Sequence, residues 1–511
     1  MHVIKIVIIV LLFFCSPAWA ATYYIDYNAA DDAANGTTTA TPWKRAPGMV
    51  GCAGNCASYS HTAGDIFVFK GGVTWAAATL PLTIGNSGTA GNIDTYMGGQ
   101  RCGQSGSASC NGGATWGTGY PVFDGNMTLG ASNSGIYASG KSYLLIDGIK
   151  ILNVGDDATG SGDAIMMFTG SSIEIKNCWL QPEGVEAFGY DNVAGAQSKI
   201  YFHHNHISRA GRVAIYSDLA TTVDDVRVYN NVFEGSGNTQ LRTYHLDGFM
   251  FGMPTPTCSG SAAAVTNILF YNNYFYGDWG QGATAQFYSN GWTSGVKIYN
   301  NVFAIENTTA SQGFSLSPGF VDFGCHDANI EIYNNTFSSD SLHSYVGGIA
   351  LGGKEGIAIA GPVTGTTIKI KNNIFSNTLI DIALDTSTGI TYDIDYNLHN
   401  PGTDNWGDVI YYVAAQCSTL SCAQGLGFEA NSPALADPKF VTLPNGTLGS
   451  GNFHLQSDSP ARTGGTNLGA PYTTDLDGVV GTARIGAYEY VAGGGATGSS
   501  LSGGRGAGAR W

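Results

Sequence analysis

The sequence predicts an all-β protein that winds into a parallel β-solenoid, and three observations lead to this prediction. The chain has 73 glycines in 511 residues and only 12% charged residues, which favours many tight turns around a large core. An eight-residue pattern recurs along it, as in "VRVYNNVF", "VKIYNNVF" and "IEIYNNTF". No helical periodicity separates the copies. One continuous repeat array can account for this length.

The repeat unit has a minimum length of about 24 to 29 residues. Each copy starts with alternating apolar residues, typical of a strand with one buried face, and ends in an asparagine pair that can turn the chain. A second short strand follows in most copies. A propeller blade would need roughly 40 to 50 residues, so the spacing argues against a propeller. The second asparagine and its weaker equivalents are Ile149, Cys178, Asn205, Asn231, Asn273, Asn301, Asn335, Asn373 and Asn397.

The repeated asparagines are predicted to be structural. In a parallel solenoid, equivalent residues of successive coils stack about 4.8 Å apart, so Asn side chains can hydrogen-bond to one another along the axis. They can also satisfy backbone groups at the bend. The repetition therefore indicates a scaffold and does not by itself indicate catalysis.

The first twenty residues have the features of a secretory signal peptide: Lys5, the apolar run "IVIIVLLFF", and small residues at Ala18 and Ala20. We expect cleavage after Ala20 and a secreted, periplasmic or cell-surface protein. A retained membrane anchor is the alternative. The expected organisation is a signal peptide at 1–20, one β-helix domain at 21–490 with its coils clearest at 140–400, and a disordered Gly/Ser-rich tail at 491–511.

Nine cysteines remain after the expected cleavage, and export permits disulfides. Short spacings predict the bridges Cys52–Cys56, Cys102–Cys110 and Cys417–Cys422. Because the number is odd, at least one thiol is free, and Cys178 is expected to be free because it falls inside a predicted strand. A zinc site is the alternative, but the pairs lack the paired C-x-x-C spacing that zinc sites use.

The net charge of −16 disfavours nucleic acids and anionic membranes as partners. No segment after the signal peptide is apolar enough to span a bilayer. We expect a polysaccharide partner and a monomeric protein. An acidic polysaccharide would require a local arginine cluster or a bridging Ca²⁺.

Alignment of the second strands puts four ionisable residues in one outward column: Asp163, Glu183, Arg212 and Asp247. Neighbouring acids about 5 Å apart repel by ~1 kcal/mol in water and ~3 kcal/mol at a protein surface. The column therefore favours either Arg212 between the acids or a Ca²⁺ ion held by the three carboxylates. A solvated salt-bridge ladder is the alternative.

The stretch "LRTYHLDGFMFG" belongs to the longest repeat interval, of 42 residues. His245 and Asp247 are two residues apart and share one side of a strand, with Arg242 in the preceding turn. An imidazole beside a carboxylate and guanidinium groups offers acid–base chemistry and a partner for sugar carboxylates. We expect Arg212 or His245 to act as the base and Arg242 to bind the substrate carboxylate. A hydrogen-bonded histidine at a loop entry is the alternative.

Three further residues are candidates for substrate binding. Arg209 falls in a turn near the charged column, and Asp278 and Trp279 follow the 42-residue interval. Flat rings beside carboxylates commonly stack against sugar faces.

The stretch "YFHHNHI" contains three histidines. Strand alternation predicts that His204 and His206 point to one side and His203 to the other. A zinc cluster is an open but disfavoured interpretation, because no acidic ligand follows at a motif spacing.

The Asn ladders, the opening "TYYIDYNAADDAANGTTTATPWK" with "AGDIFVFKGGVTW", and the closing "SPARTGGTNLGAPYTTDLDGVVGTARIGAYEY" resemble secreted bacterial members of the pectate lyase-like superfamily. The resemblance spans residues 22–490. It implies a single-stranded right-handed parallel β-helix with an N-terminal cap. The superfamily includes lyases, hydrolases, epimerases and adhesins.

From this resemblance we expect an exported carbohydrate-active protein, with lyase-like β-elimination on a uronate-containing polysaccharide as the leading function. Two alternatives stay open: a non-catalytic glycan-binding or structural surface protein, and a glycoside hydrolase.

Overall fold

The structure is a computed structural model. It describes residues 20–129, 134–155, 162–167, 169–183, 186–192, 197–209, 213–219, 223–236, 247–251, 264–278, 285–287, 292–305, 320–323, 327–339, 355–359, 364–378, 380–384, 388–400, 408–412, 415–444 and 449–492.

Three long β-sheets run side by side along the axis of the molecule. The chain visits sheet 1, sheet 2 and sheet 3 in turn, and all strands of these sheets except Ala415–Cys417 pair in parallel with their equivalents in the neighbouring coils. Because neighbours in each sheet are one coil apart in sequence, the sheets are the walls of a solenoid. The prediction of a parallel β-helix is confirmed.

Sheet 1 contains the strands Thr22–Ile25, Ile66–Phe69, Asp94–Gly98, Leu144–Asp147, Ile173–Lys176, Gln197–His203, Val223–Tyr229, Ala264–Tyr271, Trp292–Ser294, Lys297–Tyr299, Asp327–Ala328, Ile330–Tyr333, Thr367–Lys371 and Thr391–Asp395. Sheet 2 contains Thr74–Ala76, Val122–Asp124, Lys150–Leu152, Trp179–Gln181, His206–Ser208, Val232–Ser236, Tyr274–Asp278, Val302–Ile305, Thr336–Ser339, Ile374–Ser376 and Leu398–Asn400. Sheet 3 contains Leu82–Thr83, Ile136–Tyr137, Ile165–Met167, Glu186–Asn192, Val213–Leu219, Asp247–Phe251, Ala285–Phe287, Val321–Phe323, Glu355–Ile359, Ile380–Leu384, Asp408–Tyr412 and Ala415–Cys417.

The remaining elements are short. The last strand pair of sheet 3 is antiparallel, as is a separate pair, Phe440–Thr442 with Asn452–Leu455. The helices are Gly54–Ala57 and Leu420–Gly425, with 3₁₀ turns at Ala77–Thr79, Gly99–Arg101, Asn111–Gly113 and Pro460–Arg462. Within the described residues, no helix is both long and apolar enough to cross a membrane.

The cysteine predictions are confirmed for the residues that the structure describes. Disulfides join Cys52 to Cys56, Cys102 to Cys110 and Cys417 to Cys422. Cys178 is free and buried, and burial raises the pKa of its thiol to about 12. Cys258 and Cys325 lie outside the described residues.

The asparagine ladder runs at the bend between sheet 1 and sheet 2. The first residue of each pair adopts a left-handed backbone, as at Asn272 with φ 55° and Asn300 with φ 56°, and this turns the chain inward. The second residue is buried and donates both to a backbone carbonyl of sheet 1 and to the next asparagine. The ladder is made by Asn205, Asn231, Asn273, Asn301, Asn335, Asn373 and Asn397. The predicted structural role of these residues is confirmed.

A column of stacked rings fills the interior behind sheet 2. Ring centroids of Phe275, Phe303, Phe337 and Phe375 follow one another at 5.1–5.2 Å and nearly parallel. His399 continues the column, 5.4 Å from Phe375. The same position therefore carries a flat side chain in the coils from Phe275 to His399, whereas Ile151, Leu180 and Ile207 occupy it in earlier coils.

The ladder and the ring column end together at a buried ion cluster. His399 Nδ1 lies 2.7 Å from Asp381 and its Nε2 lies 3.0 Å from Glu429, with all three side chains fully buried. Asn397 donates to the same Glu429 oxygen at 2.9 Å. Burial opposes the charged imidazole, but the two carboxylates outweigh it and raise the pKa of His399 to about 10.

We predict that Asn301→Ala destabilises the protein by about 2–4 kcal/mol. Asn301 donates to Phe270 O at 3.0 Å and to Asn335 Oδ1 at 2.9 Å, and it accepts from the backbone and side chain of Asn273. The alanine would leave these buried groups without partners. Chemical denaturation measures the loss. Asn28→Ala, at an exposed position, is the control and should change stability by less than about 0.5 kcal/mol. Equal effects of the two variants would contradict the ladder's role.

Candidate functional site

Two acidic residues occupy equivalent places in adjacent coils of sheet 3. Ile165 lies opposite Phe188 in the parallel pairing, so Asp163 and Glu186 each stand two residues before a core residue. The pairing continues from Glu186 to Val213 and from Val213 to Asp247. We call this backbone row of Asp163, Glu186, Val213 and Asp247 the acidic row.

The carboxylates of Asp163 and Glu186 converge beside Gly189 of sheet 3. Gly189 follows the core residue Phe188 and therefore faces outward. A Cβ at Gly189 would lie 2.9 Å from Asp163 Oδ2 and 3.2 Å from Glu186 Oε2. The two side chains are only 2% and 7% exposed, and Asp163 Oδ1 accepts the Glu186 N–H at 3.3 Å. The absence of a side chain at Gly189 thus leaves room for two buried carboxylates.

Glu183 was predicted to stand level with Asp163, and the structure corrects this alignment. Glu183 lies in the turn before the strand, with a left-handed backbone at φ 56°. Its Oε1 pairs with Arg209 Nε at 2.6 Å. The strand starts three residues later, at Glu186, because the turn is longer than the spacing of the repeats suggested.

The same alignment misplaced Arg212 by one residue, because Val213 occupies the row. Asp247 begins its strand at the predicted level, opposite Val213. Asp278 ends a strand of sheet 2, opposite Ser236. The side chains of Asp247 and Asp278 lie outside the described residues, as do Arg212, Arg242, His245 and Trp279.

A chain of hydrogen bonds lies on the outer face of sheet 1, and the sequence did not reveal it. His203 Nε2 is 3.1 Å from Glu174, and its Nδ1 is 2.7 Å from Nδ1 of His204. Asn230 Nδ2 lies 3.2 Å from Nε2 of His204. Because the Asn230 amide nitrogen can only donate and the Glu174 carboxylate can only accept, neutral His204 donates to His203 and His203 donates to Glu174.

A second group occupies the outer face of sheet 2. The Lys150 ammonium lies 3.5 Å from the centre of the Trp179 ring, and the His206 ring lies 5.1 Å from the Trp179 ring and nearly parallel to it. His206 Nε2 is 3.2 Å from Glu234, and the Tyr276 hydroxyl donates to the same oxygen at 2.9 Å. Since the neighbours of the Trp179 ring belong to the protein, this ring contributes to packing and is a poor platform for a sugar.

The prediction that His204 and His206 point to the same side of one strand is wrong. His203 ends a strand of sheet 1, His204 occupies the left-handed bend at φ 56°, and His206 begins a strand of sheet 2. The bend therefore separates His204 from His206. Across the described part of the chain, no group of three or more His, Cys, Asp or Glu is arranged to hold a metal ion.

Comparison with known proteins shows similarity in shape only. Neither a model of a known protein family nor a curated protein matches the chain. Among solved structures, the chain is similar to pectate lyase Pel9A, with 14% identity over 93% of this chain and 98% of the other and a TM-score of 0.47. It is similar to a rhamnogalacturonan lyase, with 14% identity over 86% and 97% and a TM-score of 0.46.

The chain is also similar to PfbA, a surface adhesin of Streptococcus pneumoniae, with 10% identity over 68% of this chain and 80% of the other and a TM-score of 0.35. The assignment of the fold rests on the pairing of this chain's own strands.

We predict that Glu174→Gln weakens the dependence of stability on acid pH. The hydrogen bond from His203 and the ion pair with Lys176 outweigh burial and lower the pKa of Glu174 from 4.5 to about 2. Its stabilisation is therefore present above pH 4.5 and is lost as the pH falls toward 2. The variant should lose about 1 kcal/mol less than the wild type across this range, after allowance for solvent screening. Denaturation at several pH values measures this difference. The exposed Asp458→Asn is the control, and a profile of Glu174→Gln identical to wild type would contradict the contribution.

Proposed function

We propose that the protein is an exported carbohydrate-active β-helix that acts on a uronate-containing polysaccharide by lyase-like β-elimination. The observation that supports this most is the convergence of Asp163 and Glu186 over Gly189, in backbone register with Asp247. Buried acids that repel one another are costly, so such an arrangement favours a bound cation or cationic neighbour.

Ca²⁺ is the proposed cofactor. Asp163 and Glu186 fit a hard cation because both direct carboxylate oxygens to one small space, and Asp247 is the third proposed ligand. Glu186 takes the place that the sequence alignment gave to Glu183. When bound, the cation would neutralise the uronate carboxylate and acidify the C5 proton.

The proposed catalytic residues stand in the sequence shortly before Val213 and Asp247 of the acidic row. Arg212 or His245 removes the C5 proton, and Arg242 binds the substrate carboxylate. Arg209, Asp278 and Trp279 are the proposed contacts to neighbouring sugars. Arg209 is 58% exposed, so it can reach a polymer while it remains paired with Glu183.

Export is part of the proposal. The apolar segment at 1–20 supports it, and the three disulfides of the described chain suit an oxidising compartment. We propose that the mature protein acts as a monomer.

We predict that the purified protein releases unsaturated uronates from at least one of pectate, alginate or a glycosaminoglycan, and that removal of Ca²⁺ by a chelator abolishes this. Ultraviolet absorbance of the product measures the reaction. Asp163→Asn and Glu186→Gln should each lower kcat/KM by about 100-fold, because each removes a ligand of the cation.

Two variants serve as controls. Glu174→Gln, on sheet 1, and Glu183→Gln, in the turn, should retain most of the activity. If Glu183→Gln were as damaging as Glu186→Gln, the proposed row would be wrong. Reducing sugar without ultraviolet absorbance would identify a hydrolase instead.

A non-catalytic glycan-binding or structural protein is the second candidate. The observation that favours it is the number of side-chain groups whose contacts are made within the protein. One example is the Lys150–Trp179–His206–Glu234 group, and such contacts stiffen the solenoid. Polymer binding that is unaffected by Asp247→Ala, without turnover of any substrate, would support this candidate.

A further inference from the structure

The N-terminal strand of the described chain begins beside a buried carboxylate. Thr22–Ile25 pairs with Ile66–Phe69 at the start of sheet 1. Directly before this strand, the backbone nitrogen of Ala21 lies 2.7 Å from Asp65 Oδ1. Asp65 is fully buried.

Within the described chain, the other hydrogen bonds to the Asp65 carboxylate come from neutral groups. Its Oδ2 accepts from the Tyr59 hydroxyl at 2.6 Å and from the Thr62 N–H at 2.9 Å. Among the residues described, no lysine, arginine or histidine forms an ion pair with Asp65. The three other buried aspartates of this segment do have such partners, in the pairs Asp26–Lys70, Asp32–Arg45 and Asp94–His61.

A buried carboxylate is costly unless a cation compensates it. The atom that already contacts Asp65 is the nitrogen of Ala21, which is the residue that follows the expected signal cleavage point. Cleavage there would convert this neutral amide into a positively charged amine without moving it.

We propose that signal-peptide cleavage between Ala20 and Ala21 completes the fold by creating an α-ammonium that forms a buried ion pair with Asp65. Water adds across the Ala20–Ala21 peptide bond, Ala20 leaves with the new carboxylate, and the Ala21 nitrogen becomes an ammonium by protonation. The inference rests on the proposed export and is independent of the proposed lyase activity.

The surroundings of Asp65 strengthen such a pair. The ring of Tyr59 packs edge-on against Tyr23 at 5.3 Å, and Tyr96 belongs to the same buried aromatic group. Burial and the charge of Asp65 raise the pKa of Tyr23 above its ordinary value. Rings in place of water lower the local dielectric, and a charge-assisted hydrogen bond is stronger there than an amide hydrogen bond.

The first test uses the exported wild-type protein. Mass spectrometry of the intact chain should show Ala21 as its first residue, and any other first residue would overturn the proposal. The pH dependence of α-amine acetylation, followed on the N-terminal peptide, should then shift upward in the folded protein. At a pH near the ordinary α-amino pKa of about 7.7–8.0, the reactive fraction should fall about tenfold relative to Asp65→Asn.

The second test measures stability and has a matched control. Asp65→Asn should lower the thermal midpoint more in the chain that starts at Ala21 than in a form that retains Ala20, whose amine lies one residue farther from Asp65. Asp26→Asn removes a buried carboxylate that pairs with Lys70 instead. Its effect should be the same in both forms.

The pH dependence has a definite sign. An ammonium that gains a carboxylate partner has a raised pKa in the folded state, so its stabilisation is fully present below the unfolded α-amino pKa. The higher thermal stability of the chain that starts at Ala21, compared with the form that retains Ala20, should therefore disappear as the pH rises through the folded-state pKa of the α-amine. An unshifted acetylation profile in the wild type, or equal losses from Asp65→Asn in both forms, would overturn the ion pair.

Discussion

The side-chain hydrogen bonds between asparagines of successive coils are the constraint on which the rest of the structure depends. Each bend between sheets 1 and 2 exposes a carbonyl and an N–H toward the interior, where water is excluded. The Asn301 amide donates to the Phe270 carbonyl of the preceding coil and to the Asn335 side-chain oxygen of the following coil. A coil that slipped by one residue would break both contacts, so the ladder favours a single register in the coils from Asn205 to Asn397.

The parallel register of the coils explains why polar groups from distant parts of the sequence can collect at one place. Once coils are aligned, residues dozens of positions apart become neighbours at strand spacing, as Asp163 and Glu186 do. Asp163 and Glu186 are buried carboxylates that lie close to each other in adjacent coils.

Buried ionisable side chains lie at both ends of the solenoid. At each end, the last coil lacks a neighbouring coil that could supply hydrogen-bond partners. At one end, the Asn397 side chain donates to Glu429, and the same carboxylate is hydrogen-bonded to His399. At the other end, Asp65 receives the N–H of Ala21 and Asp94 receives that of Gly64. Terminal coils present open backbone and side-chain groups, and ionised side chains satisfy several donors at once.

The sequence by itself determined the parallel solenoid, the ladder, the three disulfides of the described chain and the buried thiol of Cys178, because these depend on local periodicity and on short spacings. It also contained the acidic row, since Asp163-Ala-Ile, Glu186-Ala-Phe and Asp247-Gly-Phe share one pattern of acid, small residue and core residue. Only the tertiary structure decided that Glu186, and not Glu183, belongs to the row, because turn length is not encoded in the strand pattern. It also decided the contact of Ala21 with Asp65 and the separation of His204 from His206, because these depend on where the backbone bends in space.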